Sequence, residues 1–329
     1  MENKKQQIEN IKQMQKEKDV VILAHYYVDG AVQEIADFVG DSFFLAKKAV
    51  SIPNQNILFC GVFFMGESAK ILNPGKRVIM ADEYADCPMA HMVDVRRIEE
   101  VREQYEDVAV VCYVNSTAEI KAHSDVCVTS SNALRVVKAL PNKRIFFIPD
   151  NNLGRYVASK LPEKEFIFHD GYCHVHKSIH AENVKEAKGL HPDALVLTHP
   201  ECTWDVLELS DFIGSTSEII DYATASDHDK FIICTEMGVF YELQQKNPQK
   251  NLPTSTVAGT VANSIHTEYF TLSHEIFPLY MQETIFPTAA NSPSNKPGIK
   301  AKDNIWITTL IQLIFLFFRK FFLFILYTP

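Results

Sequence analysis

A short proline-containing landmark recurs three times along the chain, and its spacing constrains the fold more than any other feature. The three copies are Asn73-Pro74-Gly75-Lys76, Pro162-Glu163-Lys164 and Asn247-Pro248-Gln249-Lys250, so the prolines lie 88 and 86 residues apart. Segments that start with aspartate and continue into hydroxyl side chains recur at the same intervals, from Asp37, Asp125 and Asp211. A period of this length exceeds that of a solenoid unit. It predicts three small, related domains.

Apolar runs, typical of strands buried on both faces, alternate with helix-like segments over the first 250 residues. The runs are 20–24, 57–61, 108–112, 144–149, 194–198 and 230–234. Amphipathic spacing predicts an N-terminal helix over 3–18 and further helices over 32–38 and 67–72. This alternation is typical of parallel sheets with helices on both faces.

The predicted fold class is therefore α/β, with three pseudo-repeated three-layer αβα domains around a central active site. We place the first repeat, with its N-terminal helix, at 1–90 and the second at 91–178. The third, at 179–250, is incomplete. A tail of different character follows at 251–329.

Polar side chains follow the first predicted strand of each repeat. They are His25 and Tyr27, Tyr113 and Asn115, and His199 and Glu201. Hydroxyl groups follow the second strand, at Ser42, Ser130, and Ser215 or Thr216. Parallel strands present their carboxyl ends to one crevice, where this set of groups suits a small substrate with several carboxylates. The alternative is that these are half-buried packing residues.

Two of the seven cysteines occupy equivalent positions in two repeats. Cys87 follows Pro74 and Cys173 follows Pro162, whereas no cysteine occupies the corresponding third position near 259–261. Three converging thiolates would hold an iron–sulfur cluster with one iron free to act as a Lewis acid. A zinc site is the alternative.

The remaining cysteines and the composition narrow the class of protein. We expect four cysteines in apolar runs to be buried and inert, namely Cys60, Cys112, Cys127 and Cys234, and leave Cys202 unassigned. The absence of CxxC pairs favours a reducing compartment, the cytoplasm, and the Lys/Glu/Gln-rich start is unlike a signal peptide. A net charge of −9 argues against nucleic acid as a partner. No nucleotide-binding glycine motif and no GxSxG motif occurs.

The chain resembles the quinolinate synthases, iron–sulfur enzymes of NAD biosynthesis, in a series of short motifs between residue 20 and about residue 250. The motifs are His25-Tyr26-Tyr27, Gly40-Asp41-Ser42, 64–70, 112–116, 129–133, 173–176, 199–202, 214–217 and 235–238. The resemblance implies three αβα domains around a [4Fe–4S] cluster. It also implies a transferase that condenses iminosuccinate with dihydroxyacetone phosphate to quinolinate, phosphate and water. An aspartate-oxidising enzyme would supply the iminosuccinate.

The resemblance further implies a role for individual residues. Cys87 and Cys173 would be cluster ligands. The substrate-binding residues would be His25, Ser42, Tyr113, Asn115, Ser130, His199, Glu201 and Thr216. We expect Tyr27 and Glu201 to act as general acid and base, with His25 assisting, because the reaction needs enolisation, imine formation and loss of water.

The sequence departs from the family pattern after about residue 250. Residues 252–300 are rich in Ser, Thr, Pro and Asn and lack cysteine, and we expect them to be poorly ordered. Residues 304–327 are apolar and long enough for a membrane span, although Arg319 and Lys320 would each cost a few kcal/mol inside it. The tail is either out-of-frame sequence or a membrane-associated helix, and membrane association is expected only in the second case.

The missing third cysteine predicts impaired activity in either case. One alternative function is a non-catalytic, dicarboxylate-binding remnant of the enzyme, tethered to a membrane if the apolar segment is genuine. Another is a zinc or iron lyase with a different substrate.

Overall fold

The computed structural model describes residues 4–248 and residue 250, which form three parallel sheets. In the first sheet the order is β2-β1-β3-β4, with β1 (Val20–His25), β2 (Phe38–Gly40), β3 (Asn56–Cys60) and β4 (Arg77–Met80). In the second the order is β6-β5-β7-β8, with β5 (Val108–Tyr113), β6 (Val126–Val128), β7 (Arg144–Ile148) and β8 (Glu165–Phe168). In the third the order is β10-β9-β11, with β9 (Leu195–Thr198), β10 (Phe212–Ile213) and β11 (Phe231–Cys234).

Helices connect the strands throughout the described chain. Around the first sheet lie α1 (Lys4–Glu17), α2 (Gly30–Ile35), α3 (Ser42–Ser51) and α4 (Phe63–Leu72), followed by a 3₁₀ helix (Pro88–His91). Around the second lie α5 (Val95–Gln104), α6 (Ala118–Ala122), α7 (Ala133–Ala139) and α8 (Asn151–Lys160). The last set is α9 (His174–Lys177), α10 (Ala181–Leu190), α11 (Trp204–Leu207), α12 (Thr216–Ala225) and α13 (Val239–Lys246).

Each sheet is buried on both faces. In the first, Val21 and Leu23 of β1 pack with α3 and α4, whereas Ile22 and Ala24 pack with α1 and α2. Successive strand residues point to opposite faces, so a strand covered on both sides must be apolar at every position. The second and third sheets likewise have two cores each. The predicted fold class, α/β with pseudo-repeated three-layer αβα units, is confirmed.

The repeat extends to individual hydrogen bonds. In each unit an aspartate carboxylate before the second strand accepts the backbone N–H from the middle of the first strand. The pairs are Asp37 with Ile22 at 2.8 Å, Asp125 with Val110 at 2.7 Å, and Asp211 with Val196 at 2.8 Å. These bonds fix the start of the second strand against the first.

The lysine of each proline landmark holds the C-terminal end of a helix. Lys76 donates to carbonyls at the end of α3, Lys164 to those at the end of α7, and Lys250 to those at the end of α12, all at 2.6–2.8 Å. Terminal carbonyls lack partners within their own helix, and a cation also opposes the negative end of the helix dipole. The landmark therefore has a structural role in all three units.

Some predicted boundaries differ from the structure. The helix expected over 32–38 spans Gly30–Ile35 instead, because Asp29 caps its start and Phe38 already belongs to β2. Within the described part of the chain, no helix is long and apolar enough to cross a membrane. The position near 259–261, the segment 252–300 and the apolar segment 304–327 lie outside the described residues. The domain boundaries stay a prediction.

Candidate functional site

The first strands of the three units end at one buried polar cluster. Tyr27 follows β1, Tyr113 ends β5, and Glu201 follows β9. The Tyr113 hydroxyl donates to a Glu201 carboxylate oxygen, although the two residues are 88 positions apart. Glu201 also raises the pKa of Tyr27, after the larger effect of burial. The three strand ends that the sequence predicted to converge thus lie together.

A chain of hydrogen bonds, here called the tyrosine–glutamate network, runs through Tyr27, Thr235, His176, Glu201 and Tyr113. Tyr27 Oη lies 3.1 Å from Thr235 Oγ1, which lies 2.9 Å from His176 Nε2. His176 Nδ1 lies 2.9 Å from Glu201 Oε2, and the Tyr113 hydroxyl binds Oε1. The network joins residues of all three units and is a continuous path along which a proton can be passed.

Glu201 is an almost fully buried carboxylate, 3 % exposed. Burial alone would raise its pKa, but the adjacent imidazole of His176 and the hydrogen bonds from His176 and Tyr113 lower it below the ordinary value. The Asn152 amide donates to the Glu201 backbone carbonyl at 3.0 Å and fixes the chain at this point. Glu201 therefore carries its negative charge inside the protein.

His25 and His199 are equivalent residues with the same local geometry. The Tyr27 N–H donates to His25 Nδ1 at 3.2 Å, and the Glu201 N–H donates to His199 Nδ1 at 3.3 Å. Each ring therefore carries its proton on Nε2. Burial lowers the pKa of His25 to about 4 and that of His199 to about 3. Both side chains are neutral N–H donors near pH 7.

The hydroxyl and amide residues predicted from the sequence differ in their relation to this cluster. Thr216 Oγ1 lies 2.7 Å from Tyr27 Oη and adjoins the network. Ser42, the first residue of α3, lines a small cavity that Val114 also lines. Asn115 has a buried Oδ1 with no hydrogen-bond partner among the described residues, so it is available to a ligand. Ser130 lies half-buried in the turn before α7.

Cys87 and Cys173 pack against the same core of the second unit. Burial raises the pKa of Cys87 to about 12 and that of Cys173 well above its usual range, and the nearby Cys87 adds to the second shift. The Cys173 N–H donates to Asp150 at 3.0 Å, and its Sγ lies 3.2 Å from His176 Nδ1. The structure thus brings the two predicted ligand cysteines together.

None of the other five cysteines belongs to the core that Cys87 and Cys173 share. Cys60, Cys112, Cys202 and Cys234 are buried. Cys202 and Cys234 share one core of the third unit, and the Cys202 thiol donates to the Cys234 carbonyl at 3.5 Å. The prediction that Cys127 is buried is wrong, because it is exposed. It lies on the three-residue strand β6, which is an edge strand among the described residues.

The donor set fits a thiolate-bound metal centre. Ligand atoms of Cys173, His176 and Glu201 all lie within 4.8 Å of one another. A metal bound at Cys87 and Cys173 would displace their thiol protons, because the thiolate is the form that coordinates a metal. The described residues supply two neighbouring thiols, Cys87 and Cys173, for such a centre.

Sequence reasoning missed three members of the site. His176 and Thr235 occur within motifs that carried the family resemblance, but they have no polar counterpart at the repeat spacing. Asp150, fully buried beside Cys173, follows the proline that ends the β7 run. Asp150 and Thr235 each directly follow an apolar run, and that position was the available signal for these two residues.

Comparison with known proteins agrees with this site. A family model described as "NadA: Quinolinate synthetase A protein" matches residues 9–274. The chain is 56% identical over 244 residues to the quinolinate synthase of Fusobacterium nucleatum, covering 74% of this chain and 82% of that protein. It is 46% identical over 288 residues to that of Caldicellulosiruptor bescii, covering 86% and 95%. It is 44% identical over 288 residues to that of Aquifex aeolicus, covering 85% and 89%. The chain therefore belongs to the quinolinate synthetase A family, whose named members are quinolinate synthases of NAD biosynthesis.

Proposed function

We propose that this chain condenses iminosuccinate with dihydroxyacetone phosphate to form quinolinate, phosphate and water in the cytoplasm. An aspartate-oxidising enzyme would supply the unstable imine. The observation that supports this reading is the tyrosine–glutamate network, which joins all three units around one buried carboxylate. A condensation with several proton transfers needs such a relay within reach of the substrate.

The substrate carboxylates would bind to neutral donors. His25 and His199 offer Nε2–H groups. The unpartnered Oδ1 of Asn115 can accept a hydrogen bond from a substrate hydroxyl or imine N–H. Neutral donors bind a dianion without burying a further full charge on the protein side. The proposed substrate-binding residues are His25, Ser42, Tyr113, Asn115, Ser130, His199, Glu201 and Thr216.

Proton transfer is assigned to Glu201 and Tyr27, with His25 assisting. Glu201 is ionised, so its carboxylate is free of a proton and available as the acceptor for one taken from the carbon that enolises, with a basicity that its lowered pKa reduces. Burial raises the pKa of Tyr27, so its phenol stays protonated and acts as a donor. Thr235 and His176 connect the two groups, so a proton taken at one end can be returned at the other.

Cys87 and Cys173 would hold a [4Fe–4S] cluster. Such a cluster supplies a Lewis-acidic iron that polarises the substrate hydroxyl lost as water. A third thiolate is missing from the sequence near 259–261. We infer that two thiolates retain the cluster weakly and that turnover is reduced for this reason.

The missing third cysteine also favours a second candidate function. A protein with the donor pocket but no stable cluster would bind a dicarboxylate without converting it. Such a protein would keep His25, His199 and Asn115 in place, because none of them depends on the metal for its hydrogen bonds.

Anaerobic reconstitution tests these functions. The full chain is loaded with iron and sulfide, its iron and sulfide contents are measured, and quinolinate formation is followed from freshly generated iminosuccinate and dihydroxyacetone phosphate. Cys173→Ser should lose the cluster, whereas Cys202→Ser, packed in a different core, should keep it. Quinolinate binding without turnover would support the second candidate. Zinc or mononuclear iron with neither binding nor turnover would exclude both.

A further inference from the structure

Cys112 and Cys127 form a pair of thiols on neighbouring strands outside the site described above. They are register partners of the parallel strands β5 and β6. Neighbouring strands lie about 4.8 Å apart, within the separation of about 4.4–6.8 Å between Cα atoms that disulfides join. Each thiol also shifts the pKa of the other, as neighbouring side chains on the same face of a sheet do. The backbone therefore already holds the two Cα atoms at a separation that a disulfide can span.

The two thiols differ in exposure and acidity. Cys127 is exposed, and Cys112 is buried. The neighbouring Cys112 thiol, and the ammonium of Lys121, lower the pKa of Cys127 to about 7. The neighbouring Cys127, together with burial, raises the pKa of Cys112. An exposed thiolate beside a second thiol is the usual arrangement of a reactive cysteine and its resolving partner.

The pair is connected to the catalytic region through the backbone. Cys112 directly precedes Tyr113, and its thiol donates to the Tyr113 carbonyl at 3.3 Å. The Tyr113 hydroxyl in turn donates to Glu201. A disulfide removes the thiol hydrogen from this bond and ties the end of β5 covalently to β6. Both changes act on the backbone that positions the Tyr113 hydroxyl at Glu201.

We propose that Cys112 and Cys127 form an oxidation site at which peroxide creates a disulfide that lowers activity by displacing Tyr113. The effect on activity rests on the proposed function, whereas the formation of the disulfide does not. The oxidant class is hydrogen peroxide, because the first step needs a small electrophile that reaches an exposed thiolate.

The chemistry takes place in two balanced steps. The Cys127 thiolate attacks one peroxide oxygen, so that an S–O bond forms, the O–O bond breaks and hydroxide leaves, taking a proton to become water. The Cys112 sulfur then attacks the sulfenic acid at Cys127. The S–S bond forms, the S–O bond breaks, and the departing hydroxyl takes the Cys112 proton as water. Two thiols lose two electrons, and one peroxide is reduced to two waters.

The first experiment measures the bond itself. The full-length protein is treated with equimolar hydrogen peroxide, free thiols are alkylated, and the digest is analysed by mass spectrometry for linked peptides. We expect a Cys112–Cys127 link in the wild type and in Cys60→Ser, a control at a buried thiol whose pKa burial raises to about 12. In Cys112→Ser we expect a sulfenic acid at Cys127, trapped by dimedone. An unmodified Cys127, or its linkage to another cysteine, would overturn the proposal.

The second experiment measures the effect on activity. Peroxide also attacks iron–sulfur clusters, so wild type and Cys127→Ser are compared after the same treatment and the same reconstitution. We expect quinolinate formation to fall at least tenfold further in the wild type and to return with dithiothreitol. Equal losses in both proteins would overturn the coupling to Tyr113. If the reduced wild type makes no quinolinate, the proposed function fails, and the linked peptide still decides whether the oxidation site exists.

Discussion

Gly238 offers the sharpest test of how the first and third units are fitted together. It caps the start of α13 and lies against the backbone of Tyr26 and Tyr27. A Cβ atom at this position would approach Tyr26 O to 2.5 Å and Tyr27 Cα to 2.6 Å, whereas ordinary contact begins at 3.4 Å. These are backbone atoms, so no change of rotamer relieves the overlap. Its φ of −56° suits any residue, and Gly238→Ala is therefore a purely steric perturbation.

The loss of stability in Gly238→Ala follows from the distance by which the segment at Gly238 and the segment at Tyr26 and Tyr27 must move apart. They would have to move about 1 Å, and overpacking of this kind costs about 1–3 kcal/mol. The Gln33 amide resists the movement, because it donates to Tyr26 O at 2.9 Å and to Gly238 O at 3.0 Å. A loss of about 2 kcal/mol raises the unfolded fraction roughly thirtyfold. A shift of about 1 Å at Tyr27 should also lower the rate of quinolinate formation about a hundredfold.

Urea unfolding followed by circular dichroism measures the first effect, and steady-state kinetics measures the second. Gly189→Ala is the matched control, because Gly189 lies within α10 and its Cβ would meet nothing within 4 Å. We expect the control to be more stable than the wild type by about 0.5–1 kcal/mol, as is usual for glycine in a helix. A Gly238→Ala protein with the stability and activity of the wild type would refute the packing argument.

Three further predictions concern single side chains. Glu201→Gln should lower quinolinate formation by about 10²–10⁴-fold with its circular dichroism spectrum unchanged, because an amide cannot accept the proton; a wild-type rate would contradict the role. Burial lowers the pKa of His25 to about 4. In the unfolded protein this histidine titrates near pH 6.5. The contribution of His25 to the free energy of unfolding, complete above pH 6.5, should therefore be lost as the pH falls towards 4, by up to about 1.4 kcal/mol per pH unit. His25→Asn should lack this contribution in urea unfolding at pH 7, 6 and 5, and unchanged slopes would refute it. Lys164→Met removes the bonds to the end of α7 and should cost about 1–3 kcal/mol. Lys138→Met, exposed on the same helix, should cost nothing measurable, and equal midpoints for the two variants would contradict the capping role.

The repeat made much of this architecture predictable. Equivalent residues after equivalent strands, such as His25 and His199, must lie at equivalent edges, and the structure gives both the same backbone-to-imidazole bond. Alternating apolar runs and helices were enough to predict buried parallel sheets. These features repeat in the sequence because they depend on local chain geometry.

What could not be predicted depends on features without a copy in the other units. Thr235 lies in the third unit and His176 at the end of the second, and the equivalent positions of the other units carry no polar residue. The repeat therefore gave no reason to pair them. The exposure of Cys127 depends on β6 being an uncovered edge strand, which a three-residue apolar run does not reveal. Such properties arise from packing between distant segments.

The tyrosine–glutamate network has a thermodynamic consequence. The residues of the network come from all three units, so separating any one unit from the others breaks its hydrogen bonds. A ligand that binds only when the units are together must in turn stabilise their association. A ligand present at a hundred times its dissociation constant would add about 2.7 kcal/mol to that association. A bound substrate would then stabilise the association of the three units, none of which contains a complete site by itself.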